Sequence, residues 1–157
     1  MSHLRIRTIG KLSDDWAKEA QETYAKRLQP YAKIELIELP EGHKGSLRPD
    51  VERTKQAEAV SLLKSIGSDE IVIALDETGK QFSSPDFAAK LADWSRNGQN
   101  ITFLIGGSWG LDQTVRSRAN ETISLGKQTL PHALARVVLL EQLYRASLIN
   151  AGKTYHK

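Results

Sequence analysis

The stretch ITFLIGGSWGLDQTVRSRANETISLGKQTLPH, residues 101–132, decides the fold. Two short apolar runs, NITFLI over 100–105 and ETISL over 121–125, each lead straight into a loop of glycine and small polar residues. Such runs, bounded by turn signals, read as strands, and a strand that gives way to a glycine-rich loop and then a helix is half of a βα unit. In a parallel sheet successive βα loops gather at the carboxyl ends of the strands, and ligands are held in the crevice between them. Both loops are therefore expected at one edge of one sheet, and that edge is the candidate site.

Working outward, EIVIAL over 70–75 is a near-continuous apolar run, as expected of a central strand covered on both faces. Asp76-Glu77-Thr78-Gly79 reads as the turn after it. Ser84 as cap and Pro85 in the first turn open a helix that carries Phe87, Leu91 and Trp94 on one face and ends at Asn97-Gly98. Leu4 to Ile9 alternates, a strand with one face less buried than the other, and KIELIEL over 33–39 alternates as a half-buried strand. Between them Asp14 to Leu28 repeats Trp16, Ala20, Tyr24 and Leu28 every four positions, one stripe of a helix. Asp50 to Ile66 is a further helix, with Ala57, Val60, Leu63 or neighbours on one face and Gly67 as a left-handed cap. A short helix over 111–118 and a last helix over 133–149 complete the pattern. Five strands alternating with five helical segments predict one α/β domain over 1–157, with a mostly parallel five- to six-stranded sheet flanked by helices.

The chain has no cysteine, which excludes disulfides, thiolate nucleophiles and Cys-ligated metals and fits a cytoplasmic protein. His3, His43, His132 and His156 stand in no ligand spacing, so no metal is expected. No signal segment and no apolar run of roughly 18 residues is evident, so no membrane association is expected. The formal net charge is +3, unevenly spread. Beyond residue 115, Arg116, Arg118, Lys127, Arg136, Arg145, Lys153 and Lys157 face only Glu121 and Glu141. That imbalance points to an anionic partner, and nucleic acid is the common one. The loop Glu41 to Arg48, with His43, Lys44 and Arg48, is either a basic turn that touches a phosphate backbone or an ordinary exposed connector.

Several motifs fail. No GxGxxG follows the first strand, and Gly126-Lys127-Gln128 lacks the earlier glycine and the Ser/Thr of a Walker A loop. Gly106-Gly107-Ser108-Trp109-Gly110 fits the nucleophile elbow of a serine hydrolase and stands between a strand and a helix. Its triad is poor, because Asp112 and Glu121 are the only acids between Ser108 and His132. A non-catalytic RNA-binding module is the other alternative, since it needs the basic residues but not the loops.

Leu75-Asp76, Leu104-Ile105-Gly106-Gly107 with Gly110-Leu111, Ser124-Leu125 with Thr129-Leu130-Pro131-His132, Arg136-Val137, Leu143-Tyr144-Arg145-Ala146 and the final Tyr155-His156-Lys157 together resemble the RlmH (YbeA-like) enzymes. These are SPOUT-superfamily methyltransferases acting at N3 of a pseudouridine in 23S ribosomal RNA. The resemblance implies a carboxyl-terminal deep trefoil knot and S-adenosylmethionine in the knotted cleft, contacted by Leu75, Gly106, Leu125, Gly126, Lys127, Gln128, Thr129 and Leu130. The residue types suit that ligand: leucines wall the adenine and glycines let main chain approach.

On that footing His156 is the candidate base for the N3 proton and Tyr155 stacks on or bonds the target base, with His132 a weaker candidate. Arg136, Arg145, Lys153 and Lys157 are candidate RNA contacts, with Arg5 and Arg7 possible contributors from another subunit, and the terminal tripeptide is expected to order only with RNA. The last helix carries more apolar positions than one stripe requires, which points to a homodimer.

Overall fold

The computed structural model describes residues 1–43 and 47–157. Lys44, one of the cations of the basic loop, lies outside them. Strands and helices alternate strictly: β1 (Ser2–Ile9), α1 (Asp15–Leu28), β2 (Ala32–Leu39), α2 (Val51–Leu63), β3 (Ile71–Gln81), α3 (Ser84–Ser95), β4 (Ile101–Ile105), α4 (Gln113–Arg118), β5 (Glu121–Ser124) and α5 (His132–Asn150). The sheet has five strands, all parallel, in the order β2-β1-β4-β3-β5.

The sheet is covered on both sides. One layer packs Leu28, Phe87, Leu91, Leu139 and Leu143 of α1, α3 and α5 against Leu4, Ile73 and Phe103. The other packs Ala59 and Leu62 of α2 and Val115 of α4 against Ile9, Val72, Ala74 and Leu104. All five residues of β4 are buried, as its unbroken apolar run requires. β1 is more deeply set than its alternation suggests: Leu4, Ile6, Arg7, Thr8 and Ile9 are all buried, because it lies between β2 and β4 under helices on both faces. α5 packs between α1 and α3, and no residue from His132 to Ile149 is fully exposed. Part of the apolar surface that suggested a partner is thus covered within the chain.

Three local expectations are corrected. α2 buries Thr54, Glu58, Ala59 and Leu62, not the face of Val60, which is exposed. The left-handed residue that ends this helical region is Ser65 (φ 59°), not Gly67. In α3 the cap is Ser83, whose hydroxyl accepts from the Asp86 amide, while Ser84 donates to Gln142.

The largest difference lies in β3. The strand does not end in a turn at Asp76 but continues to Gln81. Leu75 and Lys80 both pair with Ile123, so residues 76–79 bulge out and the strand rejoins its neighbour. Gly79 lies so close to β5 that a Cβ there would sit 2.6 Å from the Ile123 carbonyl carbon and 2.8 Å from its amide nitrogen. Backbone cannot yield as a flexible side chain does, so the position demands glycine. Gly79→Ala is therefore expected to destabilise the fold by about 1–3 kcal/mol, the usual cost of overpacking, as read from urea unfolding; wild-type stability would show that β5 does not lie under the bulge.

Candidate functional site

Leu75 stands in the ladder between Ile105 of β4 and Ile123 of β5. The residue after Ile105 is Gly106, and the residues after Ile123 run through Ser124 into the 125–131 loop. The fold therefore brings all eight expected cofactor positions to the carboxyl edge of three adjacent strands. Leu75, Gly106, Leu125, Gly126 and Leu130 are half-buried, while Lys127, Gln128 and Thr129 are exposed. The loop is shaped by its own bonds. The Ser124 hydroxyl accepts from the Gly126 amide at 3.1 Å and donates to the Gly126 carbonyl at 2.7 Å, and Gly126 takes φ 150°. Thr129 donates to Glu77 at 2.7 Å, which ties the loop to the β3 bulge.

The second loop folds back on itself. Gly110 (φ 83°) donates to the Gly107 carbonyl at 3.1 Å, and a Cβ on Gly106 would meet Leu111 at 2.9 Å. Beneath it lies Glu58 of α2, only 3% exposed, with both carboxylate oxygens 2.8 Å from where a Gly107 Cβ would be. The Gly42 amide bonds this carboxyl, but its Oε2 has no partner among the described residues. Burial pushes the Glu58 carboxyl above the usual carboxylate range.

This geometry does not favour a hydrolase. Asp112 is engaged as the cap of α4, accepting from the Thr114 amide and hydroxyl. Glu121 pairs with Lys90 and accepts from Trp94. His132 lies beside Gly10, its Nε2 3.6 Å from the ideal Cβ position there.

Most of the arginines singled out for RNA face inward. Arg136 is 1% exposed and donates to Glu38 (2.9 Å), Gln21 (3.1 Å), the Gly10 carbonyl (3.2 Å) and the Thr8 hydroxyl. It is a structural cation and not an RNA contact. The Arg136 contact, with the Leu12 amide, holds the Glu38 carboxyl below its ordinary range against the opposing effect of burial. Arg7 donates to the Leu62 and Lys64 carbonyls at the end of α2, and Arg5 pairs with Glu35 and Glu70. Arg116 pairs with Asp76, and Arg118 donates to the Gly67 carbonyl. The basic imbalance beyond residue 115 therefore overstates the free positive surface, which the sequence could not reveal because a buried arginine reads like an exposed one. Lys127, Lys153 and Lys157 are exposed.

The tail is docked on α5. Gly152 (φ 69°) reverses the chain after α5, and the Lys153 amide bonds the Leu148 carbonyl. Tyr155 then lies against Tyr144 (ring centroids 5.1 Å), and its hydroxyl donates to Glu141 at 3.3 Å. His156 Nδ1 lies 3.2 Å from Arg145 Nη1. Among the described residues no group of three or more His, Asp or Glu is placed to hold a metal ion.

An all-parallel sheet with its loops gathered at one carboxyl edge is a ligand-binding frame. The family described as "Predicted SPOUT methyltransferase" matches residues 2–156, and the chain belongs to it. Its curated relatives narrow the class. A Streptococcus suis protein named ribosomal RNA large subunit methyltransferase H is 41% identical over 98% of this chain and 99% of its own length. Proteins of the same name from an Anaeromyxobacter species and from Bacillus thuringiensis are each 44% identical, over 98% and 99% of this chain and 99% of their own lengths. The resemblance drawn from the motifs is thereby borne out. Among solved structures, a probable methylase family protein from Haemophilus influenzae superimposes with a TM-score of 0.57 at 14% identity, over 98% of this chain and 70% of that one, a likeness of fold alone.

Two outcomes follow from the buried charges. Arg136→Ala should lower unfolding free energy by about 3–5 kcal/mol in urea, because truncation strands Glu38 and several acceptors; a loss below 1 kcal/mol would contradict the burial. Glu58 holds its proton more tightly folded than unfolded, where its value is near 4.5. The stability it lends is thus complete below that value and declines as pH rises through the raised folded value. Glu58→Gln should flatten this decline between mildly acidic and neutral pH, and an unchanged slope would contradict the assignment.

Proposed function

We propose that this chain transfers a methyl group from S-adenosylmethionine to N3 of a pseudouridine in the 23S RNA of the large ribosomal subunit, and does so as a homodimer. The observation that carries the reading is the convergence of Leu75, Gly106 and the 125–130 loop at one edge of β3, β4 and β5. Family membership and the names of the relatives support it. The residues suit the cofactor: half-buried leucines offer apolar walls, and Gly106 and Gly126 bring main-chain donors and acceptors within reach of an adenine. Leu75, Gly106, Leu125, Leu130 and the backbone of Gly126 to Thr129 would hold it. When bound, the sulfonium supplies an activated methyl group, and the electrons of the broken S–C bond stay on sulfur. The protein's own task is then to align the attacking nitrogen and manage its proton, and alignment alone is worth about 7–11 kcal/mol in well-oriented systems. The trefoil knot implied by the resemblance is proposed for the segment from β5 into α5.

The docked tail argues for the dimer. Tyr155 bonds Glu141, and His156 faces Arg145. Those partners stand nine and thirteen residues along α5 from His132, about 14 and 20 Å at 1.5 Å per residue. A tail held there does not reach the cleft of its own chain, so a second copy supplies Tyr155 and His156 to each cleft. Exposed Lys153 and Lys157 of the tail, with Arg145, then meet the RNA.

Incubation with methyl-labelled cofactor and ribosomes lacking the modification should place label at N3 of a single pseudouridine, and unlabelled large-subunit RNA would overturn the reading. A protein without residues 155–157 should bind cofactor as wild type yet transfer nothing. Mixed and re-dimerised with an equal amount of inactive Gly126→Val, it should recover about a quarter of wild-type activity, since half the dimers are mixed and one of their two clefts is whole. No recovery would mean that each tail serves its own chain.

A further inference from the structure

We propose that His156 meets the target base as a hydrogen-bond donor through Nε2, its tautomer fixed by Arg145, and that it does not take the N3 proton. The proposal rests on the methyltransferase reading above. Its ground is the contact between Arg145 Nη1 and His156 Nδ1 at 3.2 Å. A guanidinium has five donors and no acceptor, so Nδ1 must be the acceptor in that contact. A neutral imidazole with its lone pair on Nδ1 carries its hydrogen on Nε2. The nitrogen able to take a proton is thus the one already engaged, and the nitrogen left open can only give.

Arg145 is held firmly enough to impose this choice. Glu141, one turn earlier in α5, grips it with both carboxylate oxygens, at 2.6 Å from Nη2 and 3.4 Å from Nε. Its guanidinium carbon lies 4.8 Å from the centre of the Tyr155 ring. The seat behind it uses all four tyrosines of the chain. Tyr144 lies between Tyr24, Tyr31 and Tyr155 at centroid distances of 6.3, 6.4 and 5.1 Å, and Lys153 donates to the Tyr31 hydroxyl at 2.8 Å. The charged and titratable groups around the imidazole are Arg145 and Glu141 from α5, Tyr155 and Lys157 from the tail, and Arg27 and Tyr24 from α1 behind Tyr144. Tyr155 also keeps its proton, since burial raises the phenol above its ordinary value. Neither tail side chain is poised to accept a proton; Tyr155 donates its own in the hydrogen bond to Glu141, and His156 carries one to donate.

An open donor suits the chemistry of the substrate. The N3–H of a uracil-type ring is flanked by two carbonyl groups. When that proton departs to water, the electron pair left on N3 delocalises onto both carbonyl oxygens, and the same pair then forms the new bond to the methyl carbon. A donor aimed at one of those oxygens stabilises the anion as it forms, as an oxyanion hole does. His156 is then a catalytic residue that touches the base, and Arg145 a positioning residue that acts through it.

The test uses the full-length protein labelled with ¹⁵N-histidine, without RNA. Two-bond nitrogen–proton correlations should show His156, assigned by its absence in His156→Gln, protonated at Nε2 and bare at Nδ1, and Arg145→Gln should mix the two tautomers. Hydrogen on Nδ1, or a tautomer indifferent to Arg145→Gln, would overturn the assignment whatever the substrate proves to be. With ribosomes, His156→Gln, whose amide donates but takes no proton, should remain within about tenfold of wild type while His156→Leu falls by about 10²–10³, the usual loss of one such donor. Equal loss in both would make His156 the base. Wild-type protein that leaves ribosomes unmethylated while showing the Nε2–H tautomer would refute the substrate reading separately.

Discussion

A positive charge sealed in the interior fixes the arrangement on which the site depends. Arg136, in the second turn of α5, gives its hydrogen bonds to Thr8 and Gly10 at the end of β1, Glu38 in β2 and Gln21 in α1. A buried guanidinium tolerates few alternative positions, since each lost partner leaves an uncompensated polar group in a low dielectric. The start of α5 is thereby pinned over the end of β1. The loop that precedes it is pinned at its other end by the β5 ladder and in its middle by Thr129 on Glu77. A loop fixed at both ends and in the middle would spend little of any binding energy on becoming ordered.

The sequence exposed much of this framework, and the reasons it exposed no more are specific. The type and order of all ten elements followed from apolar runs and turn residues, because those signals report backbone conformation directly. Which face of a helix turns inward proved harder. In α2 the spacing of Val60 and Leu63 outweighed Thr54 and Glu58, yet the latter lie inside, Glu58 with the Gly42 amide bonded to its carboxyl. The β3 bulge was illegible because Asp76-Glu77-Thr78-Gly79 has the composition of a turn, and only Ile123, over forty residues away, explains why the strand resumes. The inward arginines share that difficulty. A side chain's solvent exposure is set by distant partners, so charge counted along the chain measured neither the free positive surface nor the role of Arg136.

The tail shows how a chain end can be ordered without regular structure. Helix α5 stops at a glycine that reverses direction, and the residues beyond find aromatic faces and a carboxylate already in place. Each contact is modest, a tilted ring pair or a cation over a ring, worth about 0.5–1.5 kcal/mol. Several act together on the five residues after Gly152 and oppose the entropy that would otherwise leave them frayed. The same contacts seat the His156 imidazole beside Arg145, far along α5 from its start at His132, so the helix acts as a spacer as well as a core element.

The strand order also carries a history of assembly. β1 with β2, and β3 with β4, are parallel pairs joined through a single helix or helix-bearing connection, and each closes a short loop. The β1–β4 pairing that welds the two halves joins Leu4 to Ile101, and β5 lies at the far edge against the β3 bulge. Closing a longer loop costs more entropy before any contact repays it. By that measure the pairing of β5 with β3, such as Ile73 with Glu121, is more local than the pairing of β1 with β4, so the three strands that frame the candidate site form a nearer-neighbour unit than the sheet as a whole.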